Sequence, residues 1–366
     1  MSRLSALRVL WQDLLALDRT DPIPAPAYAI GALGMAVPVL VGLLLGQVHA
    51  GFVIGLGAVL LASAPADTSA PTASRTDRLL AMLLPAVAAV LVATLLGRLL
   101  QPEPALIAIV ACAALSVNYS RPAAAAAIRF NIYLVLGMSL LDGATSHRDG
   151  AALLFGCGAL WNIGLRLLLE RARARDATPA APPRRQPTPA QRRAYFRSQL
   201  HSLAGWQFPL RLAIGLTIAS LLRHAFPAHH YYWILLTVAL LTENAIEHLP
   251  RKTLQRLLGT IGGVVLAGLI FALATGPIAL GIFAAVLAAL MPVARARSYL
   301  LYAALSAPLV LLAIDIGKPV APALLIDRLV ATLLAGGIVI ALNLLFDRLI
   351  GAPTPPRTAR PRTPAG

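Results

Sequence analysis

The chain has 366 residues, 58% of them hydrophobic and 13% charged, with a formal net charge of +16 and a mean hydropathy of +0.76. Soluble domains carry about 25% charged residues, so this composition excludes an ordinary water-soluble fold and leaves most of the surface to lipid. The basic excess punctuates apolar runs instead of forming one face, which argues against a nucleic-acid binder.

Residues 2–18 set Leu4, Leu7, Trp11 and Leu14 at helical spacing, with Arg3, Arg8, Gln12 and Asp13 between them. This predicts an amphipathic helix on the cytoplasmic membrane face, not a cleaved signal peptide. Pro22, Pro24 and Pro26 close this segment, 1–27. Six apolar runs follow, at about 28–46, 50–64, 79–99, 104–118, 123–141 and 150–168. A stretch rich in Arg and Pro, 170–204, is a cytoplasmic linker expected to be partly disordered, with charge suited to topology or to anionic headgroups. Six more runs lie at about 208–223, 231–243, 254–275, 277–293, 298–315 and 324–346, before a tail, 351–366, expected to be disordered.

The predicted fold class is therefore an all-α membrane protein of about 12 transmembrane helices, as two parallel six-helix repeats over 28–169 and 205–350. With the N-terminus placed in the cytoplasm, 26 of the 31 Lys and Arg fall on the cytoplasmic side. That asymmetry follows the positive-inside rule and predicts a multi-pass protein of a bacterial inner membrane with both termini and the linker inside. The halves align at an offset of 178 to 181 residues, which sets Arg78 on Arg256 and Asn162 on Asn343. Runs 2 and 8 are both short, and paired short segments point to a central site in a transporter.

The eighth and ninth runs carry the densest polar pattern: Tyr232-Trp233, Leu236-Thr237-Val238, a short polar loop, then Arg256-Leu257-Leu258-Gly259-Thr260 and Gly263. With Arg211 opening the seventh run and Asp327-Arg328 opening the twelfth, this order resembles the fusaric acid resistance protein-like family over about 205–346. In the first half Arg78 is kept, but Ala81-Met82 stands where the family pattern has Gly-Thr. The family includes bacterial aromatic-acid exporters and is distantly similar to plant aluminium-activated malate transporters. The resemblance implies export of small aromatic or carboxylic acids, with a periplasmic adaptor protein as partner. Many relatives carry a large cytoplasmic domain after each half; here only the Arg/Pro linker stands in that place.

The residues carry their own chemistry. Arg256 and Arg211 abut apolar helix and offer a planar cationic fork suited to a carboxylate, with Arg78 as the counterpart of Arg256 in the first repeat. Arg251, Lys252 and Arg297 read as topology charges at the same face. Glu243 and Asn244 end the eighth run, and Glu243 is the candidate proton relay or arginine partner. Tyr231, Tyr232 and Trp233 either form an interfacial aromatic belt or stack on an aromatic substrate, while Thr237, one turn deeper, is placed to donate to a carboxylate. Gly259, Thr260 and Gly263 read as helix-packing positions. Cys112 and Cys157 read as buried apolar-like thiols.

No enzyme motif of the HExxH or GxSxG kind and no metal or cofactor spacing is present, so the function read is transport and not catalysis. The expected job is export of small organic acids, proton-coupled through Glu243; a passive anion channel and a non-transporting scaffold are the alternatives. Expected partners are a small organic anion, membrane lipids and the adaptor, with homo-oligomer formation left open.

Overall fold

The structure, a computed structural model, describes residues 23–62, 75–143, 148–169, 188–227, 229, 231–242, 249–274, 276–315 and 322–350. The N-terminal amphipathic segment, the linker residues 170–187 and the tail 351–366 lie outside the described residues. Among the described residues every regular element is helical.

The first half holds α1 (Ala25–Leu44), α2 (Val48–Ala62), α3 (Arg75–Leu96), α4 (Glu103–Leu115), α5 (Arg121–Gly143) and α6 (Arg148–Leu169). A connecting helix α7 (Pro189–Leu200) follows. The second half holds α8 (Leu203–Ala225), α9 (Tyr232–Leu241), α10 (Leu249–Leu273), α11 (Pro277–Arg297), α12 (Tyr299–Asp315) and α13 (Pro322–Ile350). Each predicted apolar run coincides with one helix.

Among these, α1, α3, α5, α6, α8, α10, α11 and α13 are long and apolar enough to cross a membrane. The apolar helices α2, α4, α9 and α12 are shorter. Helix α9 has only 10 residues, a length of about 15 Å against the ~30 Å of a hydrocarbon core. Among the described residues the expected twelve spans thus correspond to eight full-length helices and four short ones, with the second and eighth runs among the short ones as expected.

The bundle is apolar outside as well as inside. Leu84, Leu91, Leu95, Leu221, Leu269 and Ile282 point outward and are more than half exposed. The buried faces instead use alanine, with Ala86, Ala89, Ala93, Ala284, Ala288, Ala331 and Ala335 nearly inaccessible. Large residues outside and small ones between helices suit a lipid solvent, where close backbone packing replaces the hydrophobic drive. Both cysteines follow the same logic: Cys112 and Cys157 are exposed on the outer surface, not buried as expected. Lipid-facing and core positions are equally apolar in sequence, so a run of apolar residues does not distinguish them.

Packing partners recur between the halves. Helix α1 packs on α2 and α6, as α8 packs on α9 and α13. Helix α3 packs on α5 and α6, as α10 packs on α12 and α13. Across the halves α4 meets α8 while α11 meets α1, and α5 meets α9 while α12 meets α2. Helices α5 and α12 touch each other, a contact that is its own counterpart when the halves are exchanged.

Glycine sets the closest of these contacts. A Cβ at Gly57 would meet the Phe155 carbonyl, and one at Gly158 would meet the Ile54 carbonyl, so α2 and α6 approach through reciprocal glycines. At the α10–α12 contact a Cβ on Gly259 would lie 2.6 Å from the Ala303 methyl, and one on Gly263 would lie 2.6 Å from the Ala304 carbonyl oxygen. Gly262 faces open space instead.

The described end of the linker, 188–204, contains a helix. Thr188 and Gln191 form a capping box, in which the Gln191 N–H donates to Thr188 Oγ1 at 3.3 Å and the Thr188 N–H donates to Gln191 Oε1 at 2.9 Å. Pro189 occupies the first helical position, where its missing N–H costs nothing. The same proline that reads as a breaker in a linker starts α7.

Candidate functional site: buried arginines between helices

The starts of α8, α10 and α12 and the ends of α9, α11 and α13 share one end of the bundle, here the linker end; the opposite ends form the far end. Buried ionic side chains among the described residues are Arg129, Arg211, Arg256, Arg328 and a single carboxylate, Asp327. Charge at the core of a helical membrane bundle is costly and is retained where it has a task. Here the excess is cationic.

At the linker end, Ser202 caps α8 by accepting the Gly205 N–H at 3.2 Å, and the helix then carries Arg211 inward. Arg211 is 2% exposed. Its Nη1 donates to Asn343 Oδ1 on α13, and its Nε donates to the Gln207 carbonyl at 3.3 Å. Arg256 is also buried, with its guanidinium beside the Tyr299 side chain on α12. Gly259 and Gly263 bring α12 close to α10, and Thr253, one turn earlier on α10, packs against Gly336 of α13. Helix α10 therefore carries Arg256 into the seam it shares with α12 and α13. Outside this seam Arg295 lies over the Tyr302 ring, 5.2 Å from its centroid.

At the far end Trp233 is fully buried, and the Arg328 guanidinium lies over its ring at 3.9 Å. Asp327 accepts a hydrogen bond from His229 Nδ1 at 2.8 Å. The His229 ring stacks on Tyr231 with centroids 5.0 Å apart. Thr237, one turn along α9 from Trp233, is fully buried. Neither Thr237 Oγ1 nor Trp233 Nε1 has a hydrogen-bond partner. Beside this cluster the halves meet where Glu103 of α4 lies 3.8 Å from Arg223 and 3.8 Å from His224 of α8.

The residues singled out by sequence divide unevenly. Arg211, Arg256, Trp233 and Thr237 all lie between helices of the second half. Trp233 is enclosed between helices at the far end, with Arg328 over its ring. Arg78 is exposed, unlike Arg256 at the equivalent position. In the first half the matching helix pair is joined by Arg129 of α5, whose Nη1 donates to the Ala81 carbonyl of α3 at 2.8 Å. Arg251 and Arg297 are exposed. Glu243 and Asn244 lie outside the described residues.

Three contributors were missed. They are Arg328, which the sequence offers only as part of the family pattern, Arg129, and Asn343, which the sequence offers only as the repeat partner of Asn162. The signal for Arg129 was present: it interrupts the apolar stretch Ala123–Leu136, where a charge carries a functional expectation by default. Both aligned asparagines accept from arginine, Asn162 from Arg166 Nε at 3.0 Å and Asn343 from Arg211.

Eight helices able to cross a membrane, an apolar exterior and arginines buried between helices define a multi-pass all-α membrane protein. The family model of the fusaric acid resistance protein-like proteins matches residues 214–342, most of the second half. The match contains Trp233, Thr237, Arg256 and the Asp327-Arg328 pair, and stops just short of Arg211 and Asn343. No curated protein and no solved structure matches the chain.

Proposed function

We propose that this protein is an inner-membrane transporter that exports small organic acids, with both termini and the linker in the cytoplasm. In this reading twelve helices cross or enter the bilayer as two parallel six-helix repeats about an axis near the α5–α12 contact. The short helices α2 and α9, each packed against the opposite half, supply its centre. The observation that carries the reading is the buried charge of the family-matched half. Among the described residues this half buries three arginines, Arg211, Arg256 and Arg328, and one carboxylate, Asp327, a balance that suits an anionic passenger. Arginine is the fit for such a passenger, because its planar fork meets a carboxylate in two parallel bonds.

Export of aromatic acids rests on the likeness of residues 214–342 to the fusaric acid resistance protein-like family. Proton coupling rests on Glu243. The test is growth of cells expressing native or Arg256→Ala protein on inhibitory aromatic carboxylates, with matched membrane levels. Native protein should confer tolerance that the variant loses. Equal tolerance in both would remove Arg256 from the pathway.

A further inference from the structure

Two buried donors on α9 have no use in the packing of the fold. Trp233 and Thr237 are four residues apart, so they share one face of the helix, and both are fully inaccessible. The indole N–H and the hydroxyl each lack a hydrogen-bond partner. A buried donor left unpaired destabilises a fold, and native structures keep few of them. Two neighbouring ones on one helical turn call for an acceptor that arrives from outside.

The surroundings identify its charge and shape. The Arg328 guanidinium is centred 3.9 Å from the Trp233 ring, which places a positive charge beside the indole donor. In the two turns after Arg328, α13 presents the small buried side chains Ala331, Thr332 and Ala335. The Thr332 hydroxyl is already bonded to the Arg328 carbonyl at 2.9 Å and does not compete for the acceptor. Because Arg328 covers one face of Trp233 and the Tyr232 ring tilts against it at 4.8 Å, the indole is not available for ring-on-ring stacking. It recognises through its N–H.

We infer that Trp233 Nε1 and Thr237 Oγ1, beside Arg328, form a carboxylate-binding site that selects its ligand by the carboxylate and not by an aromatic ring. This rests on the transport reading above and adds to it a site and a selection rule. A planar carboxylate has two acceptor oxygens, one for each donor, and its charge is met by the guanidinium.

Thr237→Val is the informative variant. It keeps the shape and removes only the hydroxyl. If the hydroxyl is merely an unpaired group in the core, its loss raises thermal stability and leaves ligand affinity unchanged. If it binds the ligand, affinity falls as well, by about 10-fold to 100-fold for one charge-assisted hydrogen bond. Binding is read by equilibrium dialysis of labelled benzoate against the purified full chain, with cyclohexanecarboxylate and benzamide as competitors. Transport is measured in parallel in liposomes. The inference expects weaker benzoate binding in Thr237→Val and Trp233→Phe, competition by cyclohexanecarboxylate within a few-fold of benzoate, and none by benzamide. Unchanged affinity in a stably folded Thr237→Val overturns it, even with transport intact. So does an absence of benzoate binding to the native chain. Binding that shows the expected pattern without any transport keeps the site and sinks the transport reading instead.

Discussion

Replacing Gly259 by alanine tests the closest packing in the matched half. The new methyl group would sit 2.6 Å from the Ala303 methyl and 2.6 Å from the Leu300 carbonyl oxygen, with the Ala304 nitrogen at 3.1 Å. Two of these three atoms belong to the backbone, so no side-chain rotation relieves the clash and α10 must move off α12. Gly262 supplies the control, because a methyl group there meets nothing within 4 Å. Both substitutions gain the same helix propensity, about 1 kcal/mol, so that gain cancels in the comparison. What remains is the overpacking cost, about 1–3 kcal/mol. Thermal unfolding of the two purified variants in one detergent should place Gly259→Ala below Gly262→Ala by that amount. Because Arg256 lies less than one turn from Gly259 and beside Tyr299 in the same seam, Gly259→Ala should also weaken transport more than Gly262→Ala does. Equal melting temperatures would refute the close approach of α10 and α12.

Other perturbations follow from the same geometry. Gly158→Ala, which drives a methyl group into the Ile54 carbonyl at the α2–α6 contact, should destabilise at least as much as Gly259→Ala in the same melting assay. Asn343→Ala removes the side-chain acceptor that Arg211 uses on α13 and should cost about 1–3 kcal/mol, whereas substituting the exposed Arg78 should change stability by less than about 0.5 kcal/mol. A fluorophore attached at Cys112 or Cys157 should be quenched by spin labels on lipid acyl chains more strongly than by a water-soluble quencher, since both thiols are exposed on the apolar exterior; the reverse order would contradict the lipid-facing surface.

Hydropathy made the helices legible because each apolar run is bounded by Pro, Gly or charge, and those breaks coincide with the helix ends seen here. It did not reveal which side of a helix faces its neighbours. Cys112 and Cys157 show the reason: in lipid, an outward position and an inward one are both apolar, so the periodicity that marks a soluble core is lost. Helix α7 was hidden by composition, since Pro189 reads as a break until the Thr188–Gln191 capping box beside it is recognised. The site was partly legible. Arg256 and Arg211 stood out because arginine next to apolar helix is rare, whereas the role of Trp233 depended on a partner 95 residues away, Arg328, that no local pattern supplies. Arg78 shows the limit of the repeat as a guide. The aligned arginine stayed, but the buried cation of that helix pair is Arg129, reaching from α5 to the Ala81 carbonyl.

Efflux of a labelled aromatic carboxylate from proteoliposomes, with and without a pH gradient, measures the central claim most directly. The account predicts flux by the native chain that follows the pH gradient and falls in Arg256→Ala. Flux that follows membrane potential and ignores the pH gradient would replace the exporter with an anion channel. No flux for any acid of a panel would contradict transport of organic acids by this protein.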